Sequence, residues 1–128
     1  MTIGKTIVVI DDDDSVRIAI EGLVRSLGYA ACGFASAHQF LQSEVCSSTA
    51  CLITDIQMAG LSGLDLQARL VAEERAPPVI FITAFPDARH QARARALGAL
   101  GFLEKPFEAQ TLVRCIRQAL GEPTNGSD

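Results

Sequence analysis

The sequence predicts an α/β protein, a parallel sheet doubly wound with helices on both faces. Three observations predict it. Short apolar runs alternate with amphipathic segments of helical length, giving five β/α units in series. Glycines follow three of the helical segments, at Gly28, Gly98 and Gly121, where a helix readily ends. Four apolar runs stop at polar residues that can hold a cation or a phosphoryl group. Ile7-Val8-Val9-Ile10 stops at Asp11-Asp12, Cys51-Leu52-Ile53-Thr54 at Asp55, Val79-Ile80-Phe81-Ile82 at Thr83, and Gly101-Phe102-Leu103-Glu104 at Lys105. In a parallel sheet those ends share one edge, and ligands of open α/β sheets bind at the carboxyl ends of the strands.

The elements follow in order. The first strand covers Thr6–Ile10. Val16, Ile20, Leu23, Val24 and Leu27 then recur at helical spacing, and Gly28 closes that helix. Residues 29–34 form the second strand. Ser36 caps a short helix carrying Phe40 and Leu41. Residues 44–50 form a polar loop, and the third strand ends at Asp55. Gly60-Leu61-Ser62-Gly63 makes a turn into a helix bearing Leu66 and Leu70, which stops before Pro77-Pro78. The fourth strand ends near Thr83. Asp87 caps a helix rich in alanine and arginine that ends at Gly98. Residues 100–103 form the fifth strand. The last helix spaces Leu112, Ile116 and Leu120 four apart, and Gly121 closes it. Residues 122–128 read as a polar, frayed tail.

The chain's 128 residues suit a single domain, expected over residues 5–121, with a core that needs no staples. With a net charge of −4, no nucleic-acid or membrane role follows from the charge balance. Cys32, Cys46, Cys51 and Cys115 contain no C-x-x-C pair, so they read as small core residues and a stray thiol rather than a zinc or disulfide framework. The first residues lack the apolar stretch of a signal peptide, and no run approaches the roughly 20 residues of a membrane span. A cytoplasmic location is expected.

The chemistry centres on Asp11, Asp12 and Asp55. Carboxylates gathered from two strand ends repel one another unless a cation sits among them. Mg²⁺ suits such hard oxygen ligands. Asp13 and Asp14 read instead as residues favourable at a helix N-terminus. Asp55, alone at its strand end, is placed to attack phosphorus and form an acyl phosphate. The charge on the equatorial oxygens would then be met by the cation, by Lys105 and by the Thr83 hydroxyl. The Lys105-Pro106 bond can be cis at modest cost, and a cis bond there would aim the lysine back into the crevice.

Taken together, Val9-Ile10-Asp11-Asp12, Thr54-Asp55-Ile56-Gln57-Met58-Ala59-Gly60, Ile82-Thr83-Ala84 and Glu104-Lys105-Pro106-Phe107 resemble the receiver domains of response regulators in bacterial two-component signalling. The resemblance covers roughly residues 5 to 121. It implies a flavodoxin-like sheet of strand order 2-1-3-4-5 with five helices. It implies that Asp55 is the phosphoacceptor, that Asp11, Asp12, Asp55 and the Gln57 backbone carbonyl hold Mg²⁺, and that Lys105 is the family's site lysine. Thr83 and Phe102 match the switch pair, acting on the surface of the fourth helix, fifth strand and fifth helix. The implied donor is a phosphohistidine on a sensor histidine kinase or phosphotransfer protein. Gln57 and Phe85 occupy positions that influence loss of the phosphoryl group in the family. Ala59 stands where the family often has proline, so that loop is less restricted here.

Two other readings fit the sequence less well. A Mg²⁺-dependent phosphohydrolase with Asp55 as nucleophile, resembling the haloacid dehalogenase family, would carry D-x-D, but Gln57 stands two residues on and no general acid is supplied. A flavin-binding module would need a phosphate-cradling loop where Asp11-Asp12 stand. Arg89 and Arg93 share a helical face, read as a solvated basic face before a docking surface or self-dimer contact. His38 and His90 read as exposed polar residues. The chain stops just after the fifth helix, so a DNA-binding domain is not expected within it. The Lys105-Pro106-Phe107 ending nevertheless resembles receivers that often precede a helix-turn-helix domain.

Overall fold

The computed structural model describes residues 5–44 and 48–122. Five strands, β1 (Thr6–Ile10), β2 (Ala30–Phe34), β3 (Thr49–Asp55), β4 (Val79–Thr83) and β5 (Gly101–Glu104), alternate with α1 (Asp14–Ser26), α2 (Ala37–Leu41), α3 (Gly63–Ala72), α4 (Ala88–Ala96) and α5 (Ala109–Ala119). All strand pairs are parallel. The sheet order is β2-β1-β3-β4-β5, as predicted.

The strand side chains alternate between two cores. Val8, Ile10, Leu52, Val79 and Phe81 pack beneath α2, α3 and α4, with Phe40, Leu66, Leu70 and Ala94. Ile7, Val9, Cys51, Ile53, Ile80 and Ile82 pack beneath α1 and α5, with Ile20, Val24, Leu112 and Ile116. Both faces are covered, so the central strands read as continuous apolar runs rather than alternating ones.

Helix boundaries follow local chemistry. The Asp13, Ser36, Ser62 and Asp87 side chains each accept a backbone N–H at a helix start. At the end of α1, Gly28 N–H bonds Arg25 O and Tyr29 N–H bonds Val24 O, and Gly28 takes φ +95. That is the Schellman arrangement, which glycine adopts without a Cβ penalty. The end of α3 uses the same hydrogen bonds with Glu74 at φ 57, so this helix stops without the glycine that α1, α4 and α5 carry.

Three boundaries differ from the sequence reading. The expected loop at residues 44–50 is shorter, because Thr49 pairs with Thr6 across a register shift and extends β3 backward. Residues 45–47 of that loop, with Cys46, lie outside the described residues. Residue 29 belongs to the helix closure rather than to β2, because its N–H is taken by Val24. The fifth strand runs Gly101–Glu104 rather than from residue 100 to 103. Among the described residues, no helix is long and apolar enough to cross a membrane.

Glu122 is tied down rather than frayed. Its carboxylate accepts from the Tyr29 hydroxyl and pairs with Lys5 at 3.6 Å, fastening the end of α5 to the start of β1. Burial, then the Glu122 hydrogen bond and charge, push the Tyr29 phenol up to about 12. Tyr29 is the sole tyrosine and the chain has no tryptophan, so its phenolate absorbance can be titrated directly. A midpoint near 12 is expected, falling in Glu122→Gln. The folded pKa lies above the unfolded one, so this contact's contribution to stability is lost as pH rises through that window. A native midpoint at the ordinary value of about 10 would show that the tie is absent in solution.

Candidate functional site

The chain leaves β1 toward β2 on one side, while β3 joins β1 on the other, so a crevice opens beyond the ends of β1 and β3. Asp11 and Asp55 stand there, both buried. Every polar group of Asp11 is engaged. Its N–H donates to Phe34 O at 3.1 Å. Its Oδ1 accepts from Asp13 N–H at 2.8 Å, and its Oδ2 from Lys105 Nζ at 2.9 Å. Its carbonyl accepts from Arg17 Nη1 at 2.9 Å. Asp55 accepts from Gln57 N–H on Oδ1 at 3.2 Å and from Lys105 Nζ on Oδ2 at 3.2 Å. Asp12 is exposed, and one oxygen from each of Asp11, Asp12 and Asp55 lies within 4.8 Å of the others.

Lys105 arrives from the far side of the sheet. Its backbone N–H bonds Thr83 O at 2.8 Å, and its peptide bond to Pro106 is cis. Thr83 is buried at the end of β4, its Oγ1 accepting the Phe85 N–H at 3.0 Å, while the Phe85 ring is 68% exposed. Phe102 pairs with Phe81 across β4 and β5 and is half-buried against the α4 side of the core. Gln57 is exposed, with its N–H turned to Asp55. The predicted residues therefore assemble at one sheet edge, with Phe102 two residues deeper along β5.

Burial, and next the charge of Asp11, hold the Asp55 carboxyl above the usual aspartate range, against Lys105 and the Gln57 N–H, which pull it down. Burial pulls Lys105 down, but its hydrogen bonds and charge interactions with Asp11 and Asp55 outweigh that and hold it above the usual lysine range. Three carboxylates face one ammonium, leaving two negative charges unmatched. Hard, closely spaced oxygen donors with that excess fit a divalent cation.

Some features escaped the sequence reading. Gly63, read only as part of a turn, sits where a Cβ would lie 2.2 Å from the Asp55 carbonyl oxygen and 3.1 Å from Thr54 Oγ1. Its signal was visible only as a glycine close to a helix start. Arg17 was not singled out; its i,i+4 spacing from Glu21 was legible, but its reach back to Asp11 was not. His90 is half-buried rather than exposed, because it lines a groove of about 450 Å³ with Asp12, Gln57, Ser62 and Arg93, and its Nδ1 has no hydrogen-bond partner among the described residues. His38 is exposed, as expected. Arg93 pairs with Asp65 at 2.9 Å and joins α4 to α3, so the basic face is not simply solvated.

Residues 7–117 match the response regulator receiver domain family. The chain is 41% identical over 108 residues to nodulation protein W of Bradyrhizobium diazoefficiens, covering 84% of this chain and 48% of that protein. It is 40% identical to the transcriptional regulatory protein FixJ of Azorhizobium caulinodans, covering 88% and 54%. Among solved structures, a receiver protein from Burkholderia phymatum superposes with a TM-score of 0.79 at 40% identity, covering 94% of this chain and 98% of that one. The response regulator StyR superposes at 0.85 and 41%, covering 92% and 60%. The chain belongs to the response-regulator receiver family. It spans about half the length of the curated relatives it matches. A receiver is a phosphorylation-dependent signalling domain rather than a true enzyme, and it implies a partner histidine kinase.

Because folding raises the Asp55 pKa, its ionised form lowers stability at neutral pH. Without divalent cation at pH 7, Asp55→Asn is expected to melt above wild type, with the gap narrowing as pH falls through the raised pKa. Equal melting curves at neutral pH would contradict it. Gly63→Ala is expected to lose about 1–3 kcal/mol in denaturant unfolding, since backbone atoms must shift. Wild-type stability would mean that the α3 start yields freely.

Proposed function

We propose that Asp55 is the phosphoacceptor and that Asp11, Asp12, Asp55 and the Gln57 carbonyl hold Mg²⁺. The observation that carries this reading is one ammonium bridging Asp11 and Asp55 at 2.9 and 3.2 Å with a third carboxylate oxygen within reach. Asp55 Oδ attacks the phosphorus of a phosphohistidine. The N–P bond breaks, its electrons go to the imidazole nitrogen, and an acyl phosphate forms. A divalent cation held by Asp11, Asp12, Asp55 and the Gln57 carbonyl would supply positive charge to offset that on the transferring group. Lys105 adds a point charge to the same oxygens. The Thr83 hydroxyl exchanges its present contact with Phe85 N–H for a phosphoryl oxygen, and Phe102 turns inward behind it. The surface of α4, β5 and α5 then changes.

The receiver unit is taken as residues 5–121, followed by a polar tail, 122–128, whose first residue, Glu122, is tied to Tyr29 and Lys5. The donor is a sensor histidine kinase or a phosphotransfer protein. An apolar groove of about 620 Å³ between α1 and the segment after β5, with Lys105 at its rim, offers that donor a contact surface. The switched surface acts on an output domain, a partner protein or a second copy of the chain. The domain itself binds neither nucleic acid nor membrane and works in the cytoplasm.

Intact-mass analysis after incubation with Mg²⁺ and acetyl phosphate tests the assignment. One phosphoryl group is expected on wild type, none on Asp55→Asn, and none on wild type with chelator. A phosphoryl group retained by Asp55→Asn would move the acceptor elsewhere.

A further inference from the structure

Arg17 makes contacts that the phosphoryl-transfer reading leaves unused. It lies in the first turns of α1, yet its side chain is only 17% exposed. Its guanidinium spreads over three partners. Nη1 donates to the Asp11 carbonyl at 2.9 Å, Nη2 pairs with Asp14 at 2.7 Å, and Nε faces Glu21 at 3.7 Å. Glu21 is in turn paired with Arg25 at 3.4 Å, and Arg25 donates to Ala31 O at 3.3 Å.

This row of charges lies flat across β2, the edge strand, at Gly33. A Cβ on Gly33 would stand 1.8 Å from Glu21 Oε2 and 3.2 Å from Arg17 Cδ. The bare backbone of Gly33 therefore leaves room for the Glu21 carboxylate, and beside it for the Arg17 side chain on its way to the end of β1.

We propose that Arg17 is a positioning residue for the cation site, holding the main chain of Asp11 so that the Asp11 and Asp12 carboxylates keep a common orientation. The inference rests on the reading of those carboxylates as cation ligands. The Asp11 peptide is held at both ends, by Phe34 O on its N–H and by Arg17 on its carbonyl. The Asp11 carboxylate then takes up the Asp13 N–H and closes the turn. Without Arg17 the carbonyl loses this partner, and the plane of the peptide unit between Asp11 and Asp12 can reorient through the flanking φ and ψ angles. The effect is geometric: Asp14 and Glu21 already match the guanidinium's charge. Lysine at this position keeps the charge but lacks the planar fork that serves three acceptors.

The test uses calorimetric titration of the whole chain with Mg²⁺, and amide exchange at Asp13 without cation. Arg17→Ala and Arg17→Lys are each expected to weaken Mg²⁺ binding about tenfold, the scale of lost support behind metal ligands. Glu21→Gln should remain near wild type. Exchange at the Asp13 amide should quicken in both Arg17 variants while amides of β3 keep their protection, which separates a loosened turn from a loosened fold. Wild-type affinity and wild-type Asp13 exchange in Arg17→Lys would overturn the proposal, and that variant serves if Arg17→Ala does not fold. Wild type that binds no Mg²⁺ would defeat the cation reading instead, while the exchange data would still show whether Arg17 holds the turn.

Discussion

Two buried carboxylates, Asp11 and Asp55, share one ammonium, that of Lys105. Most of the surrounding structure serves this arrangement. Burial of like charges raises the proton affinity of Asp55, and such a site persists only where the backbone over-determines it. Here the support is continuous. Asp11 is hydrogen-bonded through its N–H, its carbonyl and both carboxylate oxygens. Gln57 N–H supports Asp55 from its own chain, and Thr83 O holds the Lys105 backbone. The residual negative charge of the closely spaced carboxylates favours a divalent cation.

The sheet supplies rigidity at the right edge. β1, β3 and β4 are buried on both faces, and their side chains interdigitate with helices above and below. Rotation of one strand end would disturb two cores at once. Asp11 and Asp55 therefore stand at the ends of strands that are packed on both faces. Thr83, with Phe85 after it, and Phe102 along β5 lie toward the other side of the sheet, where Phe85 is exposed and α4 carries few apolar residues.

Much of this was legible in the residues. The elements could be read because continuous apolar runs mark doubly covered strands, and because capping residues sit at helix starts and glycines at most helix ends. Asp11, Asp12, Asp55, Thr83 and Lys105 could be read as one site because each ends or follows a strand of a parallel sheet. The errors were local or long-range. The start of β3 was missed because its pairing with Thr6 involves a register shift. Glu122 was taken for a frayed residue because its partners, Tyr29 and Lys5, are distant in sequence. His90 was taken for a surface residue because the groove that half-buries it is lined mostly by residues after β1 and β3, distant from it in sequence.

The sequence by itself determined the order of elements, the layered architecture and the chemical identity of the site. Those depend on periodicity and on which residue follows which strand, both local properties of the chain. The tertiary structure alone decided which atoms meet. That Lys105 bridges Asp11 and Asp55, that Gly63 lies against the Asp55 carbonyl, and that Arg17 passes beside Gly33 to the Asp11 carbonyl are packing outcomes that neither periodicity nor residue order specifies. Side-chain reach across a sheet edge depends on strand order and register, and these are defined only once the whole sheet has formed.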